Sequence, residues 1–360
     1  MRIGLDQIRP EDEEYTLDLG VSWTKKAAGV TGPYDETLAH LDYCKRLGIR
    51  PVIDLRFSDD HERMIDLQRQ GGAVADAEAQ DIVAGMAAQT ADLVRQAGDL
   101  CSEWEVFGEY DCPYAGGMWP NKSSTYAAYL TAIYDAIKAV NPAARVWNGG
   151  WGVQFQDHHF PPLVAECPDK WDVLNFHHYN IYEYWPPGAD NKPAYDASLA
   201  DCVAYTSERF RGMFARNRAM LDEAGLTQPF VSSEWGMATV SRAAVESNLR
   251  ALALDSEDLL PTDNPAYPLD GQGFGLADDD AAVYMDAWLR VFEEAGMEVC
   301  VVHRLHDAPW EKRQYADCTF WGHFCGLLFE TGEQKAVYDV VKQWAQRDRA
   351  RRTEVQDASE

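Results

Sequence analysis

The 360-residue chain contains no run of eighteen apolar residues, so it offers no membrane-spanning helix. It contains no CxxC pair. Its eight cysteines are scattered at 44, 101, 112, 167, 202, 300, 318 and 325, which argues against a zinc knuckle or dithiol motif. Buried free thiols in a reducing compartment are the expectation. No HExxH is present and no HxH follows the first strand, so no metal ligand set is expected. Lysine is scarce, with 10 against 22 arginines, and the basic total of 32 faces 59 acidic residues for a net charge of −27. Such a surface repels phosphate backbones, making nucleic acid and anionic membrane poor partners. Asp-rich, Lys-poor composition suits high salt, where counter-ions screen self-repulsion; an acidic protein from a GC-rich genome has the same composition. The segment Met1–Asp6 has no apolar stretch of signal-peptide length. The expected location is the cytoplasm, or outside the cell if a leader has been removed.

Short repeats and low-complexity linkers are also missing. What remains is ordinary globular material, 46% hydrophobic and 25% charged. Short β-branched runs alternate with amphipathic stretches. Leu38, Leu41, Cys44 and Leu47 recur at spacing three and Gly48 then stops a helix. The compact strand Arg50–Leu55 follows. The same grammar gives helices over 82–94, 126–140, 207–224 and 281–295, and strands at 104–107, 144–147, 173–176, 230–233 and 299–302. Weaker strands are expected at 2–5 and 19–23. Eight strand–helix units predict an α/β fold with a parallel sheet closed into a single-domain (β/α)8 TIM barrel over residues 1–345. Residues 346–360 read as a charged, frayed tail. A doubly wound open sheet is the competitor, but it would usually carry a glycine-rich phosphate loop after its first strand, and none is present.

Long connections follow strands four to seven, at 111–122, 151–169, 179–200 and 237–277. Active sites of barrels are built from such loops. Glu109 stands where the fourth strand ends and Glu234 where the seventh ends. Two carboxylates on one rim can face each other across the mouth, one serving as acid and the other as ionised nucleophile. Aromatic residues fill the rim loops: Tyr110, Tyr114, Trp119, Trp151, Tyr182, Tyr184, Trp185, Trp235, Trp310 and Trp321. Aromatic faces stack on the C–H faces of sugars. Trp235 and Trp310 are the first choices as platforms, whereas Trp288 and Trp344 read as helix-to-barrel core.

The segments Trp104-Glu105-Val106-Phe107-Gly108-Glu109 and Glu234-Trp235-Gly236 resemble those that close strands four and seven in the clan-A glycoside hydrolases, retaining (β/α)8 β-glycosidases. Phe176-His177-His178-Tyr179, the helix 126–140 with Asn141-Pro142, and Gly326-Leu327-Leu328 before Lys335–Tyr338 fit the same pattern. The resemblance spans roughly residues 17–345. It implies hydrolysis of a β-glycosidic bond in an oligo- or polysaccharide by double displacement, without a cofactor. Glu109 would be the acid/base, Glu234 the nucleophile, and Tyr179 a hydrogen-bond donor to that nucleophile. His177, His303, Trp151, Trp235 and Trp310 would contact substrate.

Two positions depart from the clan. The Asn before the acid/base, which contacts the sugar 2-hydroxyl, is Gly108 here. An atypical sugar, another residue in that role, or reduced activity are the readings this leaves. The strand-two Arg is replaced by Lys25, which keeps the charge and loses the bidentate fork. Two other classes stand beside the glycosidase: a glycan-binding barrel that has lost catalysis, and a metal-dependent sugar isomerase or hydrolase.

Overall fold

The structure, a computed structural model, describes residues 1–109, 122–152, 156–179, 186–188, 194, 197–237, 239–240, 276–307, 325–329 and 331–357. Among the described residues eight parallel strands, with the two-residue Trp151–Gly152 paired beside the sixth, form one sheet: β1 Arg2–Asp6, β2 Trp23–Gly29, β3 Arg50–Arg56, β4 Glu103–Val106, β5 Arg145–Asn148, β6 Leu174–Tyr179, β7 Phe230–Gly236 and β8 Val299–Val302. Their order is β5-β4-β3-β2-β1-β8-β7-β6, and a bridge from Trp147 to Val173 joins the two ends. The sheet is therefore a nearly closed barrel, as the alternating sequence grammar predicts.

The helices are α1 Glu13–Leu19, α2 Asp35–Leu47, α3 Ser58–Arg69, α4 Ala77–Ala97, α5 Lys122–Val140, α6 Gln156–Glu166, α7 Leu199–Glu223, α8 Asp278–Glu294 and α9 Ala336–Asp357. α2 shows why the sequence signal holds. Leu41 and Cys44 are buried, Leu38 and Leu47 pack beside them, and Gly48 ends the helix at φ 68°.

Three expectations change. Residues 13–19 are helical, and Gly20 closes that helix in the left-handed region; the second strand starts at Trp23 rather than Leu19. The connection 151–169 contains α6, whose Pro161 and Pro162 disguise it. The helix α9 continues through Asp357, so residues 346–357 are not frayed backbone. Ser22 Oγ donates to Asp348, and Arg347 and Arg351 pair with Glu293, which ties that segment to the barrel. Cys44, Cys101, Cys167, Cys202, Cys300 and Cys325 are buried free thiols.

Side chains alternate along a strand, so every second residue faces the barrel axis. At the strand starts these positions hold Trp23, Val52, Trp147, Val173, Val231, Val299 and Val301, an apolar plug separate from the outer core. Trp23 and Trp147 lie 5.9 Å apart, and the Arg50 guanidinium covers Trp23 at 4.9 Å. Glu103, also inward, accepts from Trp147 Nε1 at 2.6 Å and pairs with Arg50. Two residues further on, the same columns present Lys25, Asp54, Glu105, Ser233 and, beyond Asn175, His177. All five are buried, and the chemistry starts where the plug stops.

Candidate active site

Lys25 is the centre of this upper layer. Its Nζ lies 2.8 Å from Glu234 Oε1, 3.3 Å from Glu105 Oε2 and 3.5 Å from Asp54 Oδ2, with the side chain 1% exposed. Burial alone would depress the ammonium pKa. The Glu105, Glu234 and Asp54 charges outweigh that and hold it above its ordinary value. Lys25 thus places a cation beneath the mouth, shared among three carboxylates.

His177 bridges the two expected catalytic glutamates. Its Nδ1 lies 2.7 Å from Glu109 Oε1 and 3.6 Å from Glu234 Oε2. Nε2 lies 3.0 Å from Ser233 Oγ and 3.4 Å from Glu105 Oε1. It also stands 3.2 Å from Lys25 Nζ, a like-charge contact. Burial and Lys25 favour the neutral ring. Glu234 and the bonds to Glu105 and Glu109 win, raising the pKa to about 10. The imidazolium therefore donates Nδ1–H to Glu109. The same cations act on the acids in return. Burial would raise Glu234, but Lys25, His177 and His303 keep it well below the usual carboxylate range. Lys25 and His177 likewise hold Glu105 near 2 against its own burial. Asp54 goes the other way: its burial outweighs Arg56 and Lys25 and raises it.

One oxygen each of Glu109 and Glu234 and one His177 nitrogen lie within 4.8 Å of one another, so the two carboxylates meet across the mouth. Local backbone detours bring them there. Phe107 and Glu109 have φ of 57° and 60°, uncommon for side chains of their size. The first turns Phe107 outward onto His61, with ring centroids 4.5 Å apart. The second returns Glu109 to the mouth, where its N–H donates to Gly150 O at 2.8 Å. Gly150 in turn donates to Glu105 Oε1 at 2.9 Å, and a Cβ there would sit 2.0 Å from the His177 ring.

On β7 the pairing with β6 shifts register between Phe176 and His177. Ser233 and Glu234, although adjacent, both serve the interior. Ser233 receives the Asn175 side-chain N–H at 2.8 Å and contacts His177, while Glu234 meets Lys25. Trp235 then faces outward. It is 0% exposed, 5.5 Å from Phe292 and 6.4 Å from Trp288 between ring centroids. The expectation that Trp235 is a sugar platform is corrected: its ring belongs to the barrel–helix core. Trp288 and Trp344 are core residues as expected.

His303 does join the site. Its Nδ1 lies 2.7 Å from Asp6 Oδ2, and Nε2 accepts from Arg304 Nε at 3.2 Å. An atom each of Asp6, Glu234 and His303 also falls within 4.8 Å of the others. His306 pairs with Asp12 at 2.8 Å, and Asp307 with buried Lys335 at 2.7 Å. Tyr179 ends β6 opposite Gly236, and Trp151 pairs with Phe176 through its backbone; their side chains lie outside the described residues. So do Trp310 and the rim aromatics Tyr110, Tyr114, Trp119, Tyr182, Tyr184, Trp185 and Trp321. Both three-residue clusters have donors a metal would accept, yet each ring nitrogen already serves a hydrogen bond and the Lys25 ammonium supplies positive charge at Glu234. The donor set suits this internal cation better than a divalent ion.

Asp6, Asp54, Arg56, Glu105 and Ser233 complete the site and were not singled out from sequence. A signal exists for two of them. Asp54 in Val52-Ile53-Asp54-Leu55 and Glu105 in Trp104-Glu105-Val106 are lone charges inside apolar strands, which burial allows only with partners.

No family model matches the chain, and no curated protein matches it. Solved structures do. An exo-β-1,4-mannosidase from Opitutaceae bacterium strain TAV5 superposes with TM-score 0.63 at 17% identity, covering 98% of this chain and 60% of that one. A family 39 glycoside hydrolase from Bacteroides cellulosilyticus WH2 gives 0.58 at 15%, covering 96% and 63%. A β-glucuronidase from Ruminococcus gnavus gives 0.59 at 12%, covering 96% and 50%. The likeness establishes the barrel fold. This chain spans between half and two thirds of the length of these proteins.

Proposed function

We propose that the protein is a glycoside hydrolase that cleaves a β-glycosidic bond with retention of configuration. The observation that carries this reading is the meeting of Glu109 and Glu234 over His177. Retaining enzymes hold their carboxyl groups about 5–5.5 Å apart, and inverting ones about 6.5–9.5 Å to admit a water. An oxygen of Glu109 within 4.8 Å of an oxygen of Glu234 supports the shorter spacing. The glycosidase names among the structural neighbours support the same reading.

In this mechanism Glu234, kept ionised by Lys25 and His177, attacks the anomeric carbon and forms a covalent glycosyl ester. The leaving oxygen takes a proton from Glu109. His177 Nδ1 lies 2.7 Å from that carboxyl and orients it towards the leaving oxygen. In the second step Glu109 takes a proton from water, which attacks the same carbon from the face the leaving group vacated. The test combines a panel of aryl β-glycosides, NMR of the first-formed product and a mechanism-based covalent trap. Turnover, a β product and a trap on Glu234 are expected. An α product, or a label on another residue, would overturn the assignment.

A further inference from the structure

The backbone that carries Glu109 is gripped at successive polar groups beyond the end of β4. The Tyr126 hydroxyl donates to Val106 O at 2.9 Å, and Phe107 N donates to Leu55 O at 3.2 Å. Gly108 N donates to Asp54 Oδ1 at 2.9 Å, and Gly108 O accepts from Arg56 Nη1 at 2.8 Å. Phe107 and Glu109, on either side, have the left-handed φ that such residues keep only where their surroundings enforce it. Both bonds to Gly108 come from one ion pair. Asp54 and Arg56 stand two residues apart in the inward column of β3, and Arg56 Nη2 pairs with Asp54 Oδ2. That oxygen also lies 3.5 Å from Lys25 Nζ, which is 2.8 Å from Glu234. One buried carboxylate thus connects the backbone before Glu109 with the ammonium beneath Glu234. A Cβ on Gly108 would lie 2.9 Å from Glu105 Oε1, 3.0 Å from Asp54 Oδ2 and 3.1 Å from Arg56 Nη2. The glycine leaves room for the pair that holds it.

We propose that Asp54 and Arg56 are positioning residues, an ion pair that grips the peptide units on both sides of the Gly108 Cα and so aims the Glu109 carboxyl at the leaving oxygen. The inference rests on the glycosidase reading above. Glycine has the freest backbone of any residue, so an ungripped Gly108 would let the next residue swing. A general acid must stand within hydrogen-bond reach of the atom it protonates. Misplacing it costs proton transfer rather than sugar binding. The damage must therefore scale with the help that the leaving group needs.

The experiment measures kcat and KM for two aryl β-glycosides of one sugar, a dinitrophenyl glycoside that departs without protonation and a phenyl glycoside that requires it. The enzymes are the wild type, Arg56→Lys, Arg56→Met, Arg56→Met with Asp54→Asn, and Glu109→Ala as the reference for a lost acid. Arg56→Met strands the Asp54 charge, and the double variant removes that charge as well. In both methionine variants kcat/KM should fall about 10²-fold for the phenyl glycoside and less than about tenfold for the dinitrophenyl one. Azide attacks the glycosyl ester without needing a base. It should speed dinitrophenyl turnover in these variants and in Glu109→Ala, giving the β-glycosyl azide, and leave the wild type unchanged. Arg56→Lys, which keeps a donor, should retain part of the phenyl activity. Equal losses on the two substrates, or no loss, would overturn the positioning role and leave the glycosidase reading intact. A Glu109→Ala variant without the split between substrates, or a wild type that turns over neither, would overturn both.

Discussion

The floor and the mouth of this barrel are built by the same strands, two residues apart, and obey opposite rules. The floor packs Trp23, Trp147 and five valines into an apolar plug. The mouth packs Lys25, Asp54, Glu105 and His177 at nearly zero exposure. In the floor each side chain stabilises by leaving water. In the mouth each charge is costly alone and tolerable only because its neighbours carry the opposite sign. The floor is therefore locally robust, whereas the mouth stands or falls as a group.

The sharpest way to break the comparison is at Glu234, the proposed nucleophile. Glu234→Gln keeps the volume and should reduce kcat by about 10³-fold or more, because it removes a reacting group rather than a contact. Azide should partly rescue Glu234→Gly. Full turnover by the glutamine variant would show that the mouth is structural only. Lys25→Met comes next. It leaves Glu234, Glu105 and Asp54 without their shared cation and should cost about 3–5 kcal/mol in denaturant unfolding. Activity should fall as well.

Trp235→Ala should lose a similar about 3–5 kcal/mol, but through a cavity between β7 and α8. Its Michaelis constant should stay near that of the wild type. A raised constant with unchanged melting would return Trp235 to the substrate.

The smallest expected effect is the pH slope. His177 is raised from 6.5 to about 10 in the folded chain. Its contribution to stability is complete below about 6.5 and is lost as pH rises through about 10. Melting temperature should decline over that window, and the decline should be absent in His177→Asn. Glu105, lowered to about 2, works at the other end: its contribution holds above 4.5 and disappears as pH falls through about 2.

Most of the architecture was legible because helices and apolar strands announce themselves by period. Helices α2, α4, α5, α7 and α8 and seven of the eight strands stand close to where the pattern puts them. β2 was misplaced for a physical reason. Its inward positions hold Lys25 and its outward ones Lys26, so Thr24-Lys25-Lys26-Ala27 does not look like a barrel strand. The apolar Leu19 belongs to the end of a short helix instead. Glu109, Glu234, His177, Lys25 and His303 were legible in the site because they stand at strand ends or match a motif. Trp235 was misread because a register shift reverses which neighbour faces inward, and no sequence period encodes a single bulge. Arg56 escaped notice because the clue lay on another strand, in the missing side chain of Gly108.

That bulge on β7 has a mechanical side. Glu234 and Trp235 share one peptide bond, the first in the mouth and the second wedged against Trp288 and Phe292 of α8. The strand is thus a short lever with its fulcrum in the barrel wall. Repacking of α8 would tilt the Glu234 carboxylate by way of the indole. Substitutions at Phe292 offer a remote means of tuning the chemistry, in a layer whose composition otherwise speaks only of stability.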